Sequence, residues 1–488
     1  MIAERWPVIV GVAQVEQRDN DPLTALEPLE LMIRASRAAA EDAGCTALLD
    51  GADSVRVIRG VWPYKNPARL VAARIGRPNA QTGLTPFGGN QVQTTVNQTC
   101  LDILENRNDI VLLTGGECGN TQGKAQKLGI KPNWSEAPGT PDIYIGHDVS
   151  MSDDAEKARG IRAPIQLYPL FENALRHAHG ESIDAHRRRI SELWAGFAQV
   201  AKHNPHAWLR DGVSAETIRT EHHNNRPISF PYPKLMNSNS RVDQGAALIL
   251  CSVGTARRLG IPESKWVYPW AGTDAHDHLH VSNRDNLYTS PAIRIAGARA
   301  LSMAGLGHAD IKHIDIYSCF PVAVQVGANE LGFAQSQPLT VTGGLTFAGG
   351  PLNNYVMHSI ATLTTLLRRD AGSRGMITAN GGFLTKHAFG VYSSEAPSMP
   401  FRHQDVQAEV DALPAREALM NYSGAVTLES YTVMYGNEGP QIAHCAALTA
   451  DGKRTWANSA DLSVMSAMTK EEFCGRPARI DGAGSISF

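Results

Sequence analysis

The chain has 488 residues, of which 43% are hydrophobic and 19% charged, and its formal net charge is −3. That length predicts about two to four domains, each with a sizeable core. The charge balance gives no electrostatic basis for binding nucleic acid or an anionic membrane. No apolar run is long enough to cross a bilayer, so membrane insertion is not expected. The seven cysteines are scattered and form no CxxC pair, and the 17 histidines include no HExxH, so neither a disulfide framework nor a metal site is expected. The opening segment, residues 1–7, lacks the basic and apolar regions of a signal peptide. A reduced, cytoplasmic setting is the expectation.

In chain order, Val8 to Ala13 reads as a short apolar strand, and residues 28–44 as an amphipathic helix stopped by Gly44. A second strand is predicted over 54–61 and a helix over 66–76, with Pro67 near its start. Residues 86–117 organise the first half. Pro86-Phe87-Gly88-Gly89 is a tight loop. It feeds a helix with Val92, Val96, Cys100, Ile103 and Leu104 on one face, and a buried strand begins at Ile110. Such a loop at a helix N-terminus is where α/β enzymes often place a nucleophile, because the helix dipole favours a developing anion. Here it offers no Ser, Thr or Cys.

Residues 118–232 break the strand–helix rhythm, with helical islands at 168–177 and 183–203. So long an excursion reads as an inserted lobe rather than a loop. The sheet resumes at Gln244 to Leu250. A second α/β unit follows, with strands at 266–272, 314–317, 376–382 and 388–392, helices at 290–304, 321–331 and 353–369, and a glycine-rich loop at 342–351. Strands alternating with helices predict layered α/β architecture with largely parallel sheets. Residues 397–414 are rich in proline and charge. Short strands come after them, with an Asp451-Gly452 hairpin signal, predicting a small all-β appendage of barrel type.

Several of these stretches resemble the thiolase superfamily. Val8-Ile9-Val10-Gly11 resembles the opening strand, Asp109 to Glu117 the strand ending in Gly-Gly-Met-Glu, and Asp243 to Ala247 the Asp-Gly-Ala-Ala return. Thr342 to Pro351 resembles the Gly-His-Pro loop, and Ala379 to Gly382 the Cys-x-Gly turn. The likeness covers about residues 7–395. With the added tail and the missing nucleophile, the chain is most similar to the thiolase-like proteins of type 1, an acetyl-CoA acetyltransferase-like group.

The resemblance implies a duplicated thiolase fold in α-β-α-β-α layers, with an inserted loop domain and a small C-terminal all-β, OB-like domain. The expected boundaries are 1–117 and 236–260 for the N-terminal half, 118–235 for the loop domain and 261–395 for the C-terminal half. A linker at 396–414 and the β domain at 415–488 complete them. The resemblance also implies coenzyme A or acyl-CoA as substrate, with no covalently bound cofactor, and a role in lipid, fatty-acid or sterol metabolism. It implies either a homodimer through the N-terminal half or a monomer, and a hydratase or another protein of lipid metabolism as partner.

The catalytic set of the family does not carry over. The nucleophile position falls at Gly89, or at Gly88 with a one-residue slip. The Gly-His-Pro histidine falls at Gly350, the Cys-x-Gly cysteine at Ala379, and the family's catalytic Asn at Tyr317 in Tyr-Ser-Cys-Phe. Acyl transfer through an acyl-cysteine is therefore not expected. His387, just past the Cys-x-Gly turn, and Tyr317 are the expected acid/base pair. Gly88, Gly89, Ser318, Gly349, Gly350, Asn380 and Lys386 are the expected substrate contacts. The readings open at this point are acyltransferase-type or C–C bond chemistry, retro-aldol cleavage of a 3-hydroxyacyl-CoA, and a non-catalytic acyl-CoA scaffold.

Overall fold

The computed structural model describes residues 4–19 and 21–488; Met1 to Ala3 of the opening segment lie outside them. The first half contains strands β1 (Pro7–Glu16), β2 (Ser54–Val57), β3 (Gln81–Leu84) and β4 (Ile110–Cys118), and the stretch expected as the lobe contributes β5 (Ile143–Tyr144) to the same sheet. The inserted lobe adds β6 (Pro227–Ser229) and β7 (Tyr232–Pro233), and the chain returns as β8 (Asp243–Ser252). These build a six-stranded sheet in the order β1-β8-β4-β2-β3-β5. Every residue of β4 and β8 is buried, as expected for strands covered on both faces.

The expectation of a largely parallel sheet is corrected here. β2, β3, β4 and β5 run parallel, but β8 is antiparallel to both β1 and β4. The lobe leaves from the end of β4, and Asp243 at the start of β8 pairs with Cys118. A strand that starts where its neighbour stops has to run the other way.

The second half holds β9 (Tyr268–His276), β10 (His313–Asp315), β11 (Arg374–Gly381), β12 (Lys386–Ser393) and β13 (Arg402–Asp405), in the order β10-β11-β12-β9-β13. β13 falls in the stretch read as a linker. Its residues pair in parallel with β9, so this segment closes the sheet edge instead of spanning a gap. Helices Gln91–Leu104 and Tyr355–Arg369 lie between the two sheets. Pro28–Asp42 covers the outer face of the first sheet and Pro291–Met303 that of the second, which gives five alternating layers.

The tail contains β14 (Ala418–Leu419), β15 (Gly424–Gly436), β16 (Gly439–Leu448), β17 (Arg454–Ser459), β18 (Pro477–Ile480) and β19 (Ile486–Ser487). The Asp451-Gly452 turn joins β16 to β17 with Gly452 at φ +78°, a conformation suited to glycine. The tail is not a free module. β6 of the lobe pairs with β15, and the buried Arg176 on helix Pro164–Ala178 forms an ion pair with Glu472 at 2.6 Å. Lobe and tail therefore share one sheet.

Candidate active site

Three elements meet around a cavity of about 600 Å³, a volume suited to a small organic ligand. The loop after β3 supplies Phe87, Gly88 and Gly89. The β11–β12 turn supplies Asn380 to Phe383 and Lys386, and the loop after β10 supplies Tyr317, Cys319 and Phe320. Helix Pro164–Ala178 of the lobe closes the side with Tyr168. Phe87, Ile165 and Leu352, each more than a third exposed, form an apolar rim. The charged lining residues are Lys386 inside and Asp148 at the surface.

The glycine loop is held by its neighbours. Gly88 N–H donates to Asn353 Oδ1 at 3.2 Å, and Lys386 Nζ donates to Phe87 O at 2.8 Å. Gly89 N–H has no acceptor among the described residues, and Gly89 stands one residue before Asn90, the N-cap of helix Gln91–Leu104. A Cβ on Gly89 would stand well inside contact distance of Asn380 O and Tyr317 Oη, and 2.8 Å from Tyr317 Cζ. The space that a nucleophilic side chain would need is thus filled by a tyrosine and a backbone carbonyl.

Tyr317 is fixed by its own N–H, which donates to Thr378 Oγ1 at 2.9 Å, and by an edge contact with Tyr355 at 5.5 Å. Its hydroxyl has no hydrogen-bond partner among the described residues. Burial, and secondarily Cys319, push its pKa well above the ordinary tyrosine value, so it is a proton donor and not a tyrosinate. Burial pushes the Cys319 thiol up to about 12, which leaves it protonated at neutral pH and a poor nucleophile. Burial lowers the pKa of Lys386, opposed by the more distant Asp148.

Tyr168 organises this wall. Its hydroxyl accepts from Asn380 Nδ2 and from Leu384 N–H, both at 2.9 Å, and its ring stacks on Phe320 at 4.5 Å. Leu384 has φ +54°, a rare conformation for a branched residue, and the Tyr168 bond helps to hold it. Sequence reasoning placed Tyr168 on a helix of the lobe, with no signal that it reaches the core of the site.

Of the expected site residues, Gly88, Gly89, Tyr317, Asn380 and Lys386 line the cavity. The other four are placed elsewhere. His387 follows Lys386 on β12, and alternation along a strand turns it to the opposite face. There its Nε2 lies 3.5 Å from both Ser290 Oγ and Asp277 Oδ2, and 3.3 Å from Leu384 O. It meets Tyr317 only across a void of about 10 Å³. Ser318 is fully buried and accepts from Leu345 N–H at 3.3 Å. Gly350 N–H is already given to Asn239 O at 2.9 Å, and Gly349, where an added Cβ would stand against Gln244, is not part of the cavity lining.

Comparison with known proteins agrees with this architecture. Residues 405–485 match the model of the thiolase-like protein type 1 additional C-terminal domain, and residues 273–337 the thiolase C-terminal domain-like model. The structure of a monomeric SCP2-thiolase like protein type 1 from Mycobacterium smegmatis aligns over 100% of this chain and 99% of its own, at 31% identity and TM-score 0.85. The Ltp2-ChsH2(DUF35) aldolase covers 81% of this chain and 100% of its own, at 18% identity and TM-score 0.62. The dimeric peroxisomal thiolase of Saccharomyces cerevisiae covers 81% and 99%, at 15% identity and TM-score 0.57. These two show the fold alone. An acetyl-CoA acetyltransferase of Methanocaldococcus jannaschii is 25% identical over 112 residues, which span 23% of this chain and 28% of that relative.

Proposed function

Because the chain belongs to the SCP2-thiolase-like proteins of type 1, we propose that its cavity binds an acyl thioester of the coenzyme A type. Chemistry then takes place at a C–C or thioester bond beside a carbonyl, without an acyl-cysteine. The observation that carries this reading is the surroundings of Gly89, the position to which the resemblance assigns the nucleophile unless a one-residue slip puts it at Gly88. A thiol is absent there, while the free Gly89 amide and the Tyr317 hydroxyl remain at the same spot. Two donors at a helix N-terminus suit a carbonyl oxygen that gains negative charge. Tyr317 acts as the acid toward that oxygen, and the apolar rim of Phe87, Ile165 and Leu352 suits the acyl chain.

Retro-aldol cleavage of a 3-hydroxyacyl thioester is the branch best matched to such a site. It needs a donor at the thioester oxygen and a proton acceptor, and it needs no nucleophile. Turnover of 3-keto- and 3-hydroxyacyl-CoAs, with and without free CoA, tests the reading by mass spectrometry of products. Products that vanish in Tyr317→Phe support it. Binding without turnover in both proteins favours a non-catalytic acyl-CoA binder instead.

A further inference from the structure

Beside Asn90, whose Oδ1 lies 2.5 Å from a Cβ added at Gly88, two side chains that line the cavity hold the ground that a residue larger than glycine would claim at positions 88 and 89. One is Tyr317. The other is Lys386, whose Nζ lies 3.1 Å from where a Cβ on Gly88 would stand. Lys386 is 8% exposed and faces the cavity. Among the described residues its ammonium has no ion-pair partner, and its one hydrogen bond is to the Phe87 carbonyl. Asp148 acts on it only at longer range. A buried cation without a counter-ion is costly. A desolvated lysine is, however, an amine activated toward carbonyl carbon. Burial lowers its pKa in that same direction.

We propose that Lys386 is the covalent group of this site, capturing a ketone or aldehyde carbonyl of an apolar ligand as an imine. This deepens the proposed function and rests on it for the ligand class: in a 3-ketoacyl thioester the target is the C3 ketone. The amine lone pair attacks the carbonyl carbon and forms a carbinolamine. The oxygen leaves as water, taking up two of the three hydrogens of the Lys386 ammonium, with the Tyr317 hydroxyl relaying one of them, and the third stays on the imine nitrogen. The C=O bond is exchanged for C=N, and no oxidant or reductant is consumed. The protonated imine then draws electrons from the adjacent carbon, as the missing thiol never could, and water reverses the step to free the amine. Attack on the thioester carbonyl would instead expel the thiol and strand the chain as an amide. The ketone is therefore the productive target.

The test treats the full chain, Lys386→Arg and Lys386→Gln with acetylacetone, and separately with acetoacetyl-CoA plus sodium cyanoborohydride. Adducts are mapped by peptide mass spectrometry. Lys386→Arg keeps the charge and a donor for Phe87 O but has no nucleophilic amine, and melting curves report whether each variant folds. The expected result is an enaminone chromophore and a label on the Lys386 peptide, both lost in either variant, with acetoacetyl-CoA reduced onto the same residue. Lys386 left unlabelled by both probes, or labelled no faster than surface lysines, overturns the proposal. Labelling by acetylacetone that acetoacetyl-CoA neither reproduces nor blocks keeps the imine and removes the acyl-thioester reading beneath it.

Discussion

Gly89→Cys puts a thiol at the position to which the thiolase resemblance assigns the nucleophile, and the structure predicts that the fold resists it. The new Cβ would crowd Asn380 O and Tyr317 Oη and stand 2.8 Å from Tyr317 Cζ. Asn380 belongs to β11, which is paired to β12 along its length, so its carbonyl cannot retreat. Tyr317 is pinned at its amide by Thr378 and at its ring by Tyr355. Overpacking of this kind costs about 1–3 kcal/mol, and two unyielding neighbours put this case at the upper end. Tyr317→Ala removes the ring and leaves only the carbonyl in the way. In that background Gly89→Cys should cost less, giving a coupling of about 1–2 kcal/mol in a double-mutant cycle. Urea unfolding of the four proteins measures it. Equal costs in both backgrounds, or a Gly89→Cys variant as stable as the parent, would refute the claim that Tyr317 has taken the nucleophile's space.

Other consequences are equally direct. Burial raises the Glu117 carboxyl from the ordinary value of 4.5 to about 8, so the folded state holds a proton that the unfolded chain releases. Stability from this group is full below pH 4.5 and is lost as pH rises through 8. Its complete loss corresponds to about 5 kcal/mol at most. Glu117→Gln keeps an acceptor for Val61 N–H, and it should raise the melting temperature at pH 9 far more than at pH 4.5; the reverse ordering would contradict this. Arg454, fully buried, makes a two-pronged bond to Glu429 at 2.6 Å and also binds the carbonyls of Val281 and Ser282. Arg454→Met should destabilise the protein by about 3–5 kcal/mol in urea titration, because it strands a carboxylate and ties the tail less firmly to the second half. A variant with unchanged stability would show that the tail docks by other means. β5 covers the free edge of β3, and Asp142 accepts from Thr82 N–H at 2.7 Å. With that edge occupied, light scattering should find a monomer; a dimer would show that the pairing opens.

The sequence carried the layered order well, because long apolar strands and amphipathic helices announce themselves by period. Helix Ile183–His203 was legible to the residue. What it could not carry was direction and facing. The reversal of β8 depends on where the lobe leaves β4, which no local pattern encodes. Lys386 and His387 both fall before the strand expected at 388–392, and both are expected in the site. Once β12 is seen to begin at Lys386, alternation alone sends one into the cavity and the other behind it. Tyr168 reaches the site from a helix more than 200 residues upstream of its partners in sequence, bonding Asn380 across a separation of 212. Such a contact is a property of the assembled layers.

The most direct test of chemistry without an acyl-cysteine is product formation from 3-keto- and 3-hydroxyacyl-CoAs by wild type, Cys319→Ala and Tyr317→Phe, run beside intact-mass analysis of each protein. Among the described residues Cys319 is the one thiol that lines the cavity, and Tyr317 is the donor beside Gly89. The expected result is turnover that survives Cys319→Ala, disappears in Tyr317→Phe, and leaves no acyl group on any cysteine. Turnover lost with Cys319→Ala, or an acyl adduct on Cys319, would contradict it.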